Sequence, residues 1–417
     1  MKPRKIVLLA VATLFVVAVA LTAVRVRIAR NQQQAALRAA GLPTTIEELQ
    51  ALCPMPAGEN AADVYAQAFD LLQAKDRSDE DSLPIVGNPE EQYELGQRLS
   101  GDTLEACEAC LAKHKTALEL LHRASAMPEC QFTPAAAIGP AVSVHHLASL
   151  RDCQRLLSLE ALTAASDGRS DDAVAALIAS TGLVRSLDRE PMLIAQVVRF
   201  SCLGMSTGSA LEVVNATDLD SVQLDRLSAA YDGIDLREPI ALGMAGEWCA
   251  IESGAIPVGI VTRVWDVPGC RKLVINCLDA LASDSMAEVR RLAFDERPAL
   301  LSSVRPVMAM MANAYANVLG VCLQSEAQRR ACVAVLAVLR FRLKEGRLPD
   351  ALNELVPAYL AAVPQDPYDD QPLRYKKRDA GFVVYSVAKN QQDDGGTSSS
   401  DYWKAGVHGD LTFTVLH

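Results

Sequence analysis

Two runs of small and aliphatic residues, Val142 to Ser166 and Asp171 to Leu187, flank the tetrapeptide Asp167-Gly168-Arg169-Ser170 and set what this chain can fold into. In the first run Leu147, Leu150, Leu157 and Ala161 recur at three- to four-residue steps, which gathers them on one face of a helix. The glycine stops that helix and a polar residue can cap the next, so the segment predicts an antiparallel helix hairpin. Composition extends the inference to the whole chain. Half of it (50%) is hydrophobic but only 5% is aromatic, and Ala and Leu dominate, which favours helices over a β-sandwich.

The same periodicity predicts helices over Met192 to Val214, Ser221 to Tyr231, Pro239 to Ile251, Cys270 to Ala282, Asp284 to Phe294 and Pro306 to Glu345, the last stopped by Gly346. Thr44 or Thr45 can cap a short helix ahead of Glu47 and Glu48. Breaks fall in the acidic Pro- and Gly-containing stretch 76–89, between Pro128 and Pro140, and in the irregular apolar stretch 254–261. At 417 residues the chain exceeds what one core usually serves, which points to two or three domains. The hairpin is similar in logic to a tetratricopeptide hairpin, although no period of about 34 residues repeats it.

Lys2, Arg4 and Lys5 precede an uncharged run from Ile6 to Val24 whose only polar residues are Thr13 and Thr22. As a helix that run spans roughly 28 Å, the depth of a bilayer core, so residues 6–24 are expected to enter the membrane. Ala18-Val19-Ala20 has the small-x-small form a signal peptidase accepts, so the segment is either a retained anchor or a cleaved leader. Either outcome puts the body outside the cytoplasm, and retention makes it a single-pass protein of a bacterial inner membrane facing the periplasm. A net charge of −11 argues against nucleic acid as partner, because phosphate recognition needs a basic face. Eleven cysteines allow disulfides in an exported body, and the odd count leaves one outside any intrachain pairing. Cys107 and Cys110 form a C-x-x-C inside a helical pattern, which reads as buried small side chains or one bridge; a zinc site there would need His145, His146 or Cys153.

The C-terminal quarter carries a different set of signals. After the long helix come Gly346-Arg347-Leu348-Pro349, then Leu352, Leu355-Val356-Pro357 and Val363-Pro364-Gln365-Asp366-Pro367. Leu373 to Tyr375, Phe382 to Ser386 and Leu411 to Leu416 are strand-like, with Asp379-Ala380-Gly381 as a hairpin turn. In order and spacing this resembles the globular part of the major pseudopilins of type II secretion systems. The resemblance implies a small α+β module over 326–417, behind a membrane segment with its flanks at 1–30 and an α-helical extracytoplasmic domain at 31–325. It also implies a calcium loop, whose candidate ligands here are Asn390, Asp393, Asp394, Asp401 and Asp410, oxygen donors of the kind calcium takes. The sequence departs from that family in two places. Ser386-Val387-Ala388-Lys389-Asn390-Gln391 lacks a glycine and a carboxylate of the family's loop, and no prepilin leader or acidic residue interrupts Ile6 to Val24, so polymerisation as a pilin is not expected.

No nucleophile elbow, P-loop, dinucleotide glycine motif or H-E-x-x-H occurs. The expected role is therefore non-enzymatic: a tethered envelope protein that interacts with a protein partner through its helical body. The alternatives are an envelope hydrolase with a site assembled from scattered groups such as His145, His146, Glu247 and Asp266, and an accessory component of a secretion system.

Overall fold

The computed structural model describes residues 43–74, 80–87, 95–138, 142–253, 267–283, 285–295, 306–397 and 409–417, with scattered helical positions between 13 and 39. Most of the apolar run 6–24 lies outside the described residues, as do the stretch 254–261, Asp266 and Asp401. Among the described residues no helix is long and apolar enough to cross a membrane. The architecture is mainly helical with one small antiparallel sheet.

Local chemistry sets the first helices. Thr45 caps α1 (Ile46–Leu52) by accepting the Glu48 amide at 3.2 Å, and the Glu48 carboxylate accepts the Thr44 amide at 2.6 Å. Asn60 caps α2 (Ala61–Gln73) and also accepts the Gln131 amide at 3.0 Å, pinning the second Pro-containing break onto the start of this helix. α3 (Gly101–Lys113) and α4 (Lys115–Ser125) meet at His114.

The predicted hairpin is present as α5 (His145–Ser166) and α6 (Ser170–Arg185). Gly168 takes φ +77°, which lets the Arg169 amide reach back to the Ala164 carbonyl at 2.8 Å and close the helix end. α6 begins at Ser170 with Arg169 at its N-cap position, and no side chain makes the cap hydrogen bond that the sequence predicts from a polar residue in this turn. The Ser170 hydroxyl instead accepts from the Gln223 amide group at 3.0 Å, and Gln223 also belongs to the capping box with Asp220 that starts α8 (Ser221–Asp232). The helix lengths of α5, α6, α7 (Leu193–Ala216) and α8, at 22, 16, 24 and 12 residues, do not repeat one unit.

A buried relay joins these four helices. Gln154 donates to Ser180 at 2.6 Å, Ser180 to Ser206 at 2.7 Å, Ser206 lies 2.9 Å from the Tyr231 hydroxyl, and that hydroxyl returns to the Ser206 carbonyl at 2.9 Å. All four side chains are buried, so each hydrogen bond has to be made inside the fold. Glu190, also buried, accepts the Phe132 and Thr133 amides at 2.6 and 3.1 Å. Arg199 is fully buried on α7 and is paired with Asp188 at 2.6 Å.

The chain continues through α9 (Arg237–Ser253), α10 (Val267–Ala282) and a short α11 (Ala287–Arg290) that widens into a π turn at Arg291–Asp295. It then enters α12 (Pro306–Glu345), whose bounds match the sequence expectation. Residues 331–339 of α12 are buried on every side. One flank meets α7, α8 and α10, and the other meets β2 (Phe382–Ser386) and β3 (Leu411–Val415). With β1 (Arg374–Lys377) these strands form an antiparallel sheet in the order β1-β2-β3.

β2 is buried at all five positions, because α12 lies under one face and the 393–397 loop covers the other. At the β1-β2 turn Gly381 has φ +80°, and a Cβ there would stand 2.0 Å from the Val415 carbonyl oxygen, so only glycine fits. The helical core and the sheet core are continuous, and the expected boundary at 325/326 falls within α12. Asn215 on α7 donates to the Thr414 carbonyl at 3.0 Å and accepts the Leu416 amide at 2.8 Å; Arg290 bonds the Pro367 carbonyl at 2.9 Å and the Asp370 carboxylate at 2.8 Å.

Glu326, midway along α12, is the other fastening point. It accepts from Arg329 at 2.9 and 3.0 Å and from Arg330 at 2.7 Å, while Arg330 also donates to the Gln365 carbonyl at 2.7 Å. Burial pushes the Glu326 carboxyl up, but the charges and hydrogen bonds of the two arginines outweigh it and hold the group below the ordinary carboxylate value. Glu326→Ala is therefore expected to cost about 3 kcal/mol of stability by denaturant unfolding, because it strands two partly buried guanidinium groups. With its folded pKa depressed, the Glu326 contribution is present above the ordinary carboxylate value and lost as pH falls through the folded value, so wild type and variant should converge in acid. A loss below about 1 kcal/mol at neutral pH would reduce the cluster to the weight of a surface pair.

Candidate functional site

The C-terminal loop is organised by Asp366, the acidic residue of Pro364-Gln365-Asp366-Pro367. Fully buried, it accepts from the Tyr368 amide at 3.0 Å, the Ser386 hydroxyl at 2.8 Å, the Val387 amide at 2.8 Å and Arg374 at 3.0 Å. Burial still leaves its carboxyl above the ordinary value. Of the candidate calcium ligands, Asn390 donates to Asp394 at 2.9 Å. Asp393 accepts from the Tyr385 hydroxyl at 3.0 Å and the Gly395 amide at 2.9 Å, and buried Asp410 accepts the Asp394 and Gly396 amides at 3.3 and 2.7 Å. Asp401 lies outside the described residues.

Four of the five expected ligands thus surround one loop, and their oxygens are hard donors of the type calcium prefers. The neighbouring strand β1 brings a cation toward this loop. Lys376 places its ammonium 5.4 Å from the centre of the Tyr385 ring, beside Asp393 and Asp410, and its pKa is raised first by its hydrogen bond to Tyr385 and further by the two carboxylates.

A second cluster uses residues that the sequence reading did not combine. Glu80, Cys110 and His114 are 3%, 5% and 3% exposed, and their donor atoms all lie within 4.8 Å of one another. His114 Nε2 is 2.6 Å from Glu80 Oε1, with Lys113 Nζ 3.3 Å from the same oxygen. The expected zinc partners of the C-x-x-C pair do not join it. Cys107 turns toward Thr163 in a small core with Leu159 and Leu162, whereas Cys153 belongs to the main core. His145 is exposed at the start of α5, and His146 stacks on Phe132 with ring centres 4.8 Å apart. No disulfide joins any of the eleven cysteines; ten are buried, and burial pushes the Cys107 thiol up to about 11.

The third site is a cleft of about 640 Å³ between the α3–α4 pair and the α5–α6 turn. Leu111, Ala112 and Leu118 line it among Glu108, Lys115, Glu119 and Arg169, and His122 pairs with Glu160 at 2.8 Å. The Glu160 hydrogen bond raises the His122 pKa against the opposing pull of burial. Stability from this pair is present below the ordinary histidine value and lost as pH rises through the folded one. The histidines proposed for catalysis are placed otherwise. Burial lowers His146 to about 4, no hydrogen bond joins it to a carboxylate among the described residues, and Glu247 is raised to about 7 by burial beside the Leu193 amide.

His114 and His122 escaped sequence reading because their partners stand 34 and 38 residues away. The one local signal was Cys110-x-x-x-His114, an i, i+4 pair at a helix end. The chain was compared with protein-family models, curated proteins and solved structures, and it matches none of them.

Calcium at this loop would compete with the amides that Asp393 and Asp410 accept and with the nearby positive charge of Lys376. Lys376→Met is expected to tighten calcium binding about tenfold in a calorimetric titration, and Asp394→Ala to abolish it. Absence of a binding heat in both wild type and Lys376→Met would remove the cation reading.

Proposed function

We propose that this is a membrane-tethered protein of the bacterial cell envelope, single-pass through residues 6–24, whose extracytoplasmic body is non-enzymatic and binds a protein partner. The cleft beside α3 and α4 carries the reading. It combines an apolar floor with a rim bearing both signs of charge, the composition of a surface that receives an amphipathic helix from another protein. Its one imidazole is already committed to Glu160. The pseudopilin-like module, with calcium at its acidic loop, docks on α7 and α12 and stiffens the helices behind the cleft.

One observation favours a hydrolytic second reading: His122 and Glu160 form an imidazole–carboxylate pair inside a cleft, with Glu160 placed to orient the ring. The two readings separate on His122→Gln, which would eliminate hydrolysis and leave partner capture intact.

A photo-crosslinking residue at Glu119 should give one discrete adduct in intact cells, retained in His122→Gln, while the same residue at Arg226 on α8 gives none. Equal labelling from both positions, or none from Glu119, overturns the docking reading. In spheroplasts, external protease should degrade the body while a cytoplasmic marker survives; a protected body would refute the proposed topology.

A further inference from the structure

We infer that Glu80, Cys110 and His114 form a binding site for a zinc-class divalent ion, which ties the 80–87 turn to the end of α3. This inference is independent of the partner-binding reading.

The donor set is a carboxylate, a thiol and an imidazole, brought together from two segments separated by 34 residues between Glu80 and His114. Cys110 and His114 share one face because the helical turn persists across them: the His114 amide still reaches the Cys110 carbonyl at 3.1 Å. Glu80 arrives from the opposite side on a compact turn, in which the Leu83 amide bonds the Glu80 carbonyl at 3.0 Å and the Gly87 amide bonds the Leu83 carbonyl at 3.1 Å. That turn holds Ile85 at φ +69°, a conformation a β-branched residue keeps only when its surroundings fix it.

The chemistry selects the ion. Sulfur with imidazole suits zinc and its neighbours, whereas calcium and magnesium require oxygen shells. Zinc distances of about 2.3 Å to sulfur and about 2.0 to 2.2 Å to nitrogen and oxygen put ligand atoms roughly 3.3 to 3.7 Å apart. The three donors already lie within 4.8 Å of one another; the His114–Glu80 hydrogen bond at 2.6 Å has to open by about 1 Å on those distances, and the Lys113 contact to the same oxygen has to be released. Charge also balances. The Cys110 thiol proton leaves to solvent, the Nε2 proton of His114 either leaves or moves to Nδ1, and thiolate plus carboxylate then neutralise a divalent ion in a buried site. The Lys113 ammonium, whose side chain is partly exposed, can withdraw to solvent as the ion takes its place beside Glu80.

The test uses the full-length protein, purified in detergent, reduced and stripped with chelator, with Co²⁺ as the probe. One equivalent of Co²⁺ should produce a thiolate-to-metal charge-transfer band that one equivalent of Zn²⁺ removes. The band should vanish in Cys110→Ser, weaken at least about tenfold in apparent affinity in Glu80→Gln, and survive in Cys107→Ser. Circular dichroism of each variant separates loss of ligand from loss of fold. If no band forms in wild type, or if it persists at full strength in a folded Cys110→Ser, the cluster is a buried histidine–carboxylate hydrogen bond beside a thiol and the metal site is overturned.

Discussion

Everything in this fold is arranged around one helix that has no solvent side over residues 331–339 of its length. A helix apolar all round must be enclosed, and one layer of helices cannot enclose it. α7, α8 and α10 cover part of α12, and the three-stranded sheet covers another part of it. Sheet and helices therefore complete a single core. Fusion of the C-terminal strands to the helical body follows from the need to cover α12.

Apolar burial alone would leave the register of such a bundle loose, because Ala, Leu and Val faces can slide past one another. Directional groups remove that freedom. The Gln154–Ser180–Ser206–Tyr231 relay allows one alignment of four helices, Arg199 ties α7 to Asp188 in the turn before it, and Arg330, held by Glu326, ties the middle of α12 to the Gln365 carbonyl. A displacement of one turn would leave several buried donors without acceptors, at about 1 to 3 kcal/mol each. The specificity of the fold rests on these few polar contacts, and most of its stability on the area they organise.

What was legible in the sequence was local. The α5–α6 hairpin, the limits of α12 and the three strands were all readable because periodicity, Gly168, Gly346 and Gly381 act within a few residues. The cap expected in this turn is not formed, because nothing in the neighbourhood of Ser170 announces that Gln223 will take its hydroxyl. The sites were less legible for the same reason. The acidic loop could be located from its own residues, but the approach of Lys376 to Tyr385 depends on strand pairing. Cys110 stands beside Cys107 and His114 in the sequence, while its spatial neighbour Glu80 sits in a loop with no motif at all.

The clasp that Asn215 makes on the last strand has a consequence for the order in which this molecule comes into being. Its carboxamide sits on α7, and its partners Thr414 and Leu416 lie 199 and 201 residues further along. A chain emerging from its N-terminus can build α1 to α8 early, but α7 and α12 keep an uncovered apolar flank until the third strand arrives. That interval is the stage at which the chain most needs protection from self-association, and the final strand is what ends it.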